Sequence, residues 1–263
     1  MKTVFLMFIS VLFFQTVAAQ MDEKFYFPDK EWIGVNGVDY EEIMLIVEKD
    51  TIYPALIKPI GIPKATILYL HGNGGNISKW VGHVKPLIED GYQVCMLDYR
   101  GYGKSTGVPT HINIAFDAQF LLDTLLLRED VKDTKLIIYG GSIGTQVACL
   151  LTQKNEDKVA ALVLDSMMTS FTDVALAFSP EEHRAVIKQY VTSPYSAKEI
   201  IPQLKKTRLL FIHSEEDQIP IEGAYTLYES ANCTKSFWKY EGKHIEAPVK
   251  YPETFIRHIN ELF

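Results

Sequence analysis

The chain has 263 residues, of which 47% are apolar and 22% charged, and its formal net charge is −7. This composition is enough to bury the core of one globular domain, and it excludes a disordered or fibrous chain. The acidic balance also argues against a nucleic-acid-binding surface, which requires a basic patch or stripe.

The first 19 residues, MKTVFLMFISVLFFQTVAA, are predicted to be a secretory signal peptide. One early lysine precedes an apolar stretch at residues 4–14, and small residues stand just before the expected cleavage point. An uncleaved membrane anchor would need about 20 apolar residues, whereas this run is shorter and is interrupted at Gln15. We therefore expect an exported protein, periplasmic or secreted, whose mature chain begins near Gln20 and keeps no stable membrane anchor.

Strands and helices alternate along residues 20–263, which are predicted to form a single domain. Residues 41–48 and 51–59 alternate partially around the polar pair Lys49-Asp50, which indicates an antiparallel hairpin. The continuous apolar run at residues 65–70 is typical of a strand covered on both faces. Further strands are predicted at residues 92–98, 135–140, 159–165, 208–213 and 235–241, with helical spacing between them.

This order predicts an α/β fold with a mostly parallel sheet, helices on both faces and an antiparallel hairpin at the N-terminal edge. Residues 171–207 depart from the alternation, because they are helical and loop-rich between two strands. They are predicted to form a short lid. The three cysteines are an odd number, so they cannot all pair within the chain, and they show no metal-ligand spacing. Neither a metal nor a cofactor is implied.

Two segments read as G-x-S-x-G, GKSTG at residues 103–107 and GGSIG at residues 140–144. A serine nucleophile of this type needs a strand that runs into it and a helix that starts directly after it. Ser142 has both, since LIIYG precedes it and TQVACLL follows. Ser105 has neither, and a phosphate-binding loop is excluded too, because Asp98 occupies the position of its first glycine and no helix follows.

Four motifs in this order resemble the α/β-hydrolase superfamily: HGNGG, DYRGYGKSTG, GGSIGT and HSEEDQIP. The resemblance covers nearly all of residues 40–263. Within the superfamily the chain is similar to small single-domain serine hydrolases of the depalmitoylase-like branch. This resemblance implies a nucleophile elbow at Ser142 and the chain order Ser…Asp…His for the catalytic triad.

His244 is predicted to be the general base, because it follows the last strand, where this chain order places the histidine. The other six histidines lie in helix-like stretches, at strand ends or in an upstream loop. For the acid, the resemblance to an H-G-x-x-D-x-x-P pattern selects Asp217, with Ser214 in place of the usual glycine. Asp165, at the end of its own strand, stays open as the alternative, because some members of the fold take the acid from there.

The oxyanion of the tetrahedral intermediate needs two hydrogen-bond donors. One is predicted to be the backbone N–H of Ile143, directly after the nucleophile. The resemblance implies the N–H of Asn73 as the second, because Asn73 follows the His-Gly pair of HGNGG. The motif is H-G-x rather than H-G-G-G, which departs from the hormone-sensitive-lipase-like esterases.

These residues predict an exported serine hydrolase that cleaves carboxylic esters or thioesters through an acyl-enzyme. The resemblance implies a small-molecule or lipid-like acyl substrate, for which the predicted lid offers aromatic side chains: Phe171, Phe178, Tyr190 and Tyr195. One alternative keeps the triad but cleaves amides, as an aminopeptidase-like enzyme or amidase. A second alternative is a non-catalytic binding protein on a hydrolase fold.

Overall fold

A computed structural model describes residues 21–35 and 37–263, so the predicted signal peptide lies outside the described residues. The central sheet has eight strands: β2 (Tyr40–Glu42), β5 (Ala55–Ile57), β6 (Thr66–Leu70), β8 (Gln93–Leu97), β9 (Leu136–Gly141), β10 (Val159–Asp165), β11 (Arg208–Ser214) and β12 (Lys235–Tyr240). Their spatial order is β12-β11-β10-β9-β6-β8-β5-β2. Two short strands, β1 (Phe27–Pro28) and β7 (Gly74–Gly75), form a separate parallel pair. From β12 to β8 all neighbours are parallel, whereas β5 is antiparallel to both β8 and β2. The predicted mostly parallel sheet with an antiparallel edge is confirmed.

The predicted N-terminal hairpin is divided into two pieces. Its outer parts form β2 and β5 of the main sheet, and its inner parts form a separate antiparallel pair, β3 (Leu45–Val47) and β4 (Asp50–Ile52). The break falls at Pro54, which has no N–H to give to a strand ladder. Its carbonyl still accepts a hydrogen bond from the Ile43 N–H at 2.9 Å, so the two pieces remain joined.

Helices cover both faces of the sheet. The described helices are α1 (Ile77–Glu89), α2 (His111–Leu126), α3 (Gly144–Lys154), α4 (Phe171–Ala177), α5 (Arg184–Tyr190), α6 (Ala197–Ile200), α7 (Ile221–Ser230), α8 (Ala247–Lys250) and α9 (Pro252–Asn260). Apolar side chains of α2, α3, α6 and α7 share one buried cluster with one face of the sheet. Those of α1, α8 and α9 share a second cluster with the other face. The central strands β6, β8 and β9 are buried on both sides, as their continuous apolar sequence predicts, whereas the edge strands β2 and β12 are partly exposed.

Residues 171–207 contain α4, α5 and α6, which have different surroundings. Ala197 and Ile200 of α6 are buried in the core, and the Ala197 N–H donates to the Gln146 side chain of α3 at 3.0 Å. Helices α4 and α5 instead lie beside the cavity described below. Within the segment predicted as a lid, α4 and α5 therefore border the cavity, whereas α6 belongs to the core. None of the helices in the described ranges is long and apolar enough to span a bilayer.

Candidate active site

Ser142 occupies a sharp turn between β9 and α3. Its φ is 51°, in the left-handed region that residues other than glycine rarely adopt. The Ser142 N–H donates to the Asp165 carbonyl at 2.9 Å, and its carbonyl accepts from the Thr145 N–H at 3.0 Å. These bonds fix a strained backbone at the C-terminal end of a central strand, which is the arrangement of a nucleophile elbow.

Gly144 allows the elbow to form. A Cβ built on it would lie 2.8 Å from the His71 carbonyl oxygen and closer still to that of Leu70. No side chain fits there, because the first turn of α3 lies directly against the end of β6. Glycine at this position lets the helix N-terminus, with its positive dipole end, approach the serine.

His244 and Asp217 form an acid–base pair. His244 Nδ1 lies 2.8 Å from Asp217 Oδ1, which also accepts the Ile219 N–H at 2.8 Å. Burial alone would raise the pKa of Asp217, but the His244 imidazole, the Ser166 hydroxyl and the Ile219 N–H together hold that pKa below its usual range. The carboxylate is therefore ionised and accepts the Nδ1 proton, which leaves Nε2 of His244 available as a base.

Asp165, the alternative acid, lies in a different environment. Its carboxylate accepts a hydrogen bond from the Tyr139 hydroxyl at 2.9 Å, and its side chain is fully buried. Burial raises the pKa of Asp165 to about 7. Within the described residues it makes no hydrogen bond to His244, whose partner is Asp217.

Ser142 and His244 lie near each other because the residues next to them along the chain are close in space. No hydrogen bond joins their side chains in the described part of the chain, as is common before a substrate is bound. A Cβ built on Gly141 would lie 3.4 Å from Ile245 Cδ1, so the residues next to Ser142 and His244 lie close together. The structure therefore brings the serine and the histidine–carboxylate pair to the same edge of the sheet.

Asn73 and Ile143 lie beside Ser142 with their N–H groups free. Neither N–H has an acceptor among residues 21–35 and 37–263. The Asn73 carbonyl accepts from the Phe27 N–H at 2.8 Å and from the Tyr102 hydroxyl at 2.6 Å, which fixes the orientation of this loop. Asn73, Ile143 and Ser142 line one cavity, so the two residues with unsatisfied N–H groups border the same space as the serine.

Ser105, in the GKSTG segment, is buried, and its hydroxyl is used in hydrogen bonds within the loop. Its hydroxyl donates to the Asp98 carbonyl at 2.9 Å and accepts from the Tyr53 N–H at 3.0 Å. The Asp98 side chain in turn accepts the Ile77 N–H at the start of α1 at 2.8 Å and lies 3.3 Å from His71 Nε2. The DYRGYGKSTG loop thereby holds the segment that carries Asn73.

A cavity of about 630 Å³ opens beside Ser142. Helices α4 and α5 form one wall, with Phe178 among the lining side chains. The other three aromatic residues expected there, Phe171, Tyr190 and Tyr195, are not among the lining residues. Phe171 stacks on His111 with ring centroids 3.6 Å apart, and Tyr195 donates to the His111 carbonyl. His111 itself begins α2 rather than lying in a loop.

The N-terminal segment at residues 21–27 forms another wall, which the sequence reasoning did not predict. Asp22 holds it in place by accepting the His111 N–H at 3.1 Å, and the Tyr26 hydroxyl hydrogen-bonds to His111 Nδ1 at 2.7 Å. The run FYFP at residues 25–28, five residues after the predicted signal peptide, is the signal in the sequence, since three aromatic residues are unusual for a solvated linker.

The sheet order, the strained serine between a strand and a helix, and the free N–H groups beside it define the nucleophile-elbow class of α/β protein. Comparison with known protein families agrees with this assignment of the fold. The family described as "alpha/beta hydrolase fold" matches residues 65–193. The chain belongs to the α/β-hydrolase superfamily, and the predicted fold is confirmed.

The regions that match this chain make up different shares of the curated relatives' own length. Protein bem46 of Schizosaccharomyces pombe is 35% identical over 191 residues, which are 70% of this chain and 62% of that protein. YfhR of Escherichia coli K12, an uncharacterised protein, is 28% identical over 94% of this chain and 88% of its own. The lysophosphatidylserine lipase ABHD12 of Gallus gallus is 30% identical over 69% of this chain, but this match spans only 51% of that protein.

Solved structures share the fold at low identity. The esterase Pf2001 of Pyrococcus furiosus superimposes with a TM-score of 0.71 at 19% identity, covering 90% of this chain and 97% of that one. Acetyl xylan esterase 1 of Thermoanaerobacterium has a TM-score of 0.66 at 18% identity, covering 95% and 93%. These likenesses bear on the fold alone.

Proposed function

We propose that this protein is an exported serine hydrolase that cleaves carboxylic esters or thioesters through an acyl-enzyme. The observation that carries the proposal is that Ser142, on its strained turn, shares one cavity with two free N–H donors. The paired His244 and Asp217 lie at the same edge of the sheet. Export is proposed from the signal-peptide pattern in the first 19 residues.

In the proposed reaction, Ser142 Oγ attacks the carbonyl carbon while Nε2 of His244 takes the hydroxyl proton. The C–O or C–S bond then breaks, and His244 gives the same proton to the leaving alcohol or thiol. A water molecule attacks the acyl-enzyme, again with His244 as base, and releases the acid and the free serine. Asp217 holds the imidazole tautomer and stabilises the imidazolium without taking a proton itself.

The N–H groups of Asn73 and Ile143 would stabilise the oxyanion in both steps. They are already oriented, because the neighbouring carbonyl of Asn73 is held by two hydrogen bonds and Ile143 immediately precedes α3. Loss of one such donor typically costs about 2.7–4 kcal/mol of transition-state stabilisation.

The lining of the cavity supports an acyl substrate. Most of its side chains are apolar, and they include Phe25, Val174, Phe178 and Ile187. The described ionisable side chains of the lining are Lys24 and His183, and none is a carboxylate. An aminopeptidase has to bind the ammonium group of its substrate, for which this lining offers no anionic partner. The similarity of part of the chain to a protein named as a lysophosphatidylserine lipase is consistent with ester cleavage.

Labelling with a fluorophosphonate probe tests the proposal, with the two G-x-S-x-G serines as a matched pair. We expect Ser142→Ala to abolish labelling and Ser105→Ala to retain it, with circular dichroism to verify that each variant is folded. Labelling that survives Ser142→Ala would exclude Ser142 as the nucleophile. Absence of labelling in the folded wild-type protein would favour the non-catalytic alternative.

The type of bond is tested on the same protein with p-nitrophenyl esters, acyl thioesters and aminoacyl p-nitroanilides. We expect turnover of esters or thioesters that is lost in Ser142→Ala, and negligible turnover of the anilides. Preferred cleavage of the anilides would support the aminopeptidase-like alternative instead.

A further inference from the structure

The dipeptide Asp165-Ser166, which follows directly from β10, connects the two halves of the candidate site. On one side, the Asp165 carbonyl accepts the N–H of Ser142 at 2.9 Å. On the other side, the Ser166 hydroxyl oxygen accepts the N–H of Ile245, the residue after His244, at 3.0 Å. A single peptide unit thus separates the anchor of the nucleophile from the anchor of the histidine loop.

The backbone and side chain of Ser166 are both fixed by the surrounding structure. Its side chain is fully buried, and its backbone has a φ of 52°. The Ser166 N–H donates to the Ile212 carbonyl of β11 at 2.9 Å, which fixes the residue from the strand that leads to Asp217. Such a backbone persists only where the surrounding structure determines it, and strained residues of this kind cluster at functional sites.

The partner of Ser166 is strained as well. Ile245 has a φ of 56°, which is unfavourable for a β-branched residue. Its side chain is buried against Gly141, next to the nucleophile. The hydrogen bond from Ile245 N–H to the Ser166 hydroxyl therefore holds the histidine loop in a conformation that its own sequence does not favour.

We propose that Ser166 is a positioning residue, whose hydroxyl fixes the loop after β12 so that His244 stays between Asp217 and Ser142. The hydroxyl hydrogen of Ser166 is directed at the neighbouring Asp165 carboxylate, whose Oδ1 lies 3.4 Å from Ser166 Oγ, so the oxygen stays free to accept from Ile245. This inference rests on the proposed function, because it assigns Ser166 a role in the same reaction.

The test compares Ser166→Ala with Ser196→Ala. Ser196 is also buried, but its hydroxyl has no hydrogen-bond partner within the described residues, so this variant controls for removal of a buried hydroxyl. For hydrolysis of p-nitrophenyl butyrate we expect Ser166→Ala to lower kcat about 10- to 100-fold, with KM within about twofold of wild type. Ser196→Ala should keep both constants within about twofold.

Ser166→Gly separates the hydroxyl from the backbone strain, since glycine adopts positive φ without cost. If the hydroxyl is responsible, the glycine variant loses as much kcat as the alanine variant. In proton NMR spectra we expect the downfield resonance of the His244 Nδ1 proton to broaden or disappear in both variants and to persist in Ser196→Ala. This signature reports the position of the imidazole, which a purely structural defect elsewhere would leave unchanged.

Unchanged kcat in folded Ser166→Ala, or recovery of kcat in Ser166→Gly, would overturn the inference while Ser142→Ala stays inactive. If Ser142→Ala kept full activity, the proposed function itself would fail. The two failures are therefore distinguishable in one set of variants.

Discussion

The two carboxylates near His244 are separated by a matched pair of substitutions, Asp217→Asn and Asp165→Asn. Asp217 hydrogen-bonds to His244, so its amide variant presents a donor to Nδ1 and favours the wrong imidazole tautomer. We expect kcat for ester hydrolysis to fall about 10⁴-fold. Asp165 instead contacts the hydroxyls of Tyr139 and Ser166; in the variant the amide oxygen can still accept from Tyr139, and the amide nitrogen can donate to Ser166. We therefore expect Asp165→Asn to keep kcat within about threefold of wild type, because it changes no group that touches the imidazole.

Asp165→Asn should also change how the stability of the protein depends on pH. Burial raises the pKa of Asp165 from 3.8 to about 7. A raised folded-state pKa gives a contribution to stability that is complete below pH 3.8 and is lost as the pH rises through 7. At about 1.4 kcal/mol per pKa unit, this shift corresponds to a loss on the order of 4 kcal/mol at pH 8. Asparagine does not ionise, so the variant should escape this loss.

Urea denaturation of wild type and Asp165→Asn at pH 5 and pH 8 measures the effect. We expect the variant to gain stability relative to wild type at pH 8, and much less at pH 5. A difference independent of pH would refute the argument from burial. A large loss of kcat in Asp165→Asn together with an active Asp217→Asn would assign the acid to Asp165 instead.

Three further predictions concern the scaffold and the cavity. Gly144→Ala should destabilise the fold by about 3 kcal/mol in urea denaturation, because the added methyl group would lie 2.8 Å from the His71 carbonyl oxygen; an unaffected midpoint would contradict this packing. Arg100→Met removes the buried guanidinium that three carboxylates share, one of them Asp117. We therefore expect the free energy of unfolding to fall by about 3–5 kcal/mol, and an unchanged free energy of unfolding would contradict this reasoning. Phe25→Ala should lower kcat/KM about tenfold for a twelve-carbon p-nitrophenyl ester and leave the four-carbon ester within about twofold, since Phe25 lines the cavity; equal losses on both esters would argue against an acyl wall.

The sequence predicts those parts of the fold that depend on local patterns. Continuous apolar runs give the buried parallel strands, and the strand–serine–helix context distinguishes Ser142 from Ser105 before any coordinates are known. The pairing of His244 with Asp217 could be anticipated only through the resemblance to known hydrolases. Spacing along the chain contains no information about which loop lies across from which.

Features that depend on long-range packing were not predictable from the sequence. The N-terminal wall forms because Asp22 reaches His111, a residue 89 positions later. Ser166 gave no signal, because a single serine after a strand resembles any polar loop residue. Its role arises from the parallel order of the sheet, which places the ends of β9, β10 and β11 side by side.

The two G-x-S-x-G segments show why such a motif needs its structural context. In the elbow, glycine is required because the backbones of a strand and a helix approach each other, and the serine between them is left beside an open cavity. In GKSTG, a Cβ on Gly107 would lie 2.6 Å from an Asp50 carboxylate oxygen, so this glycine makes room for a side chain. The serine of that loop uses its hydroxyl within buried hydrogen bonds. The same five-residue pattern thus satisfies two unrelated packing constraints, and only the first leaves a hydroxyl free to react.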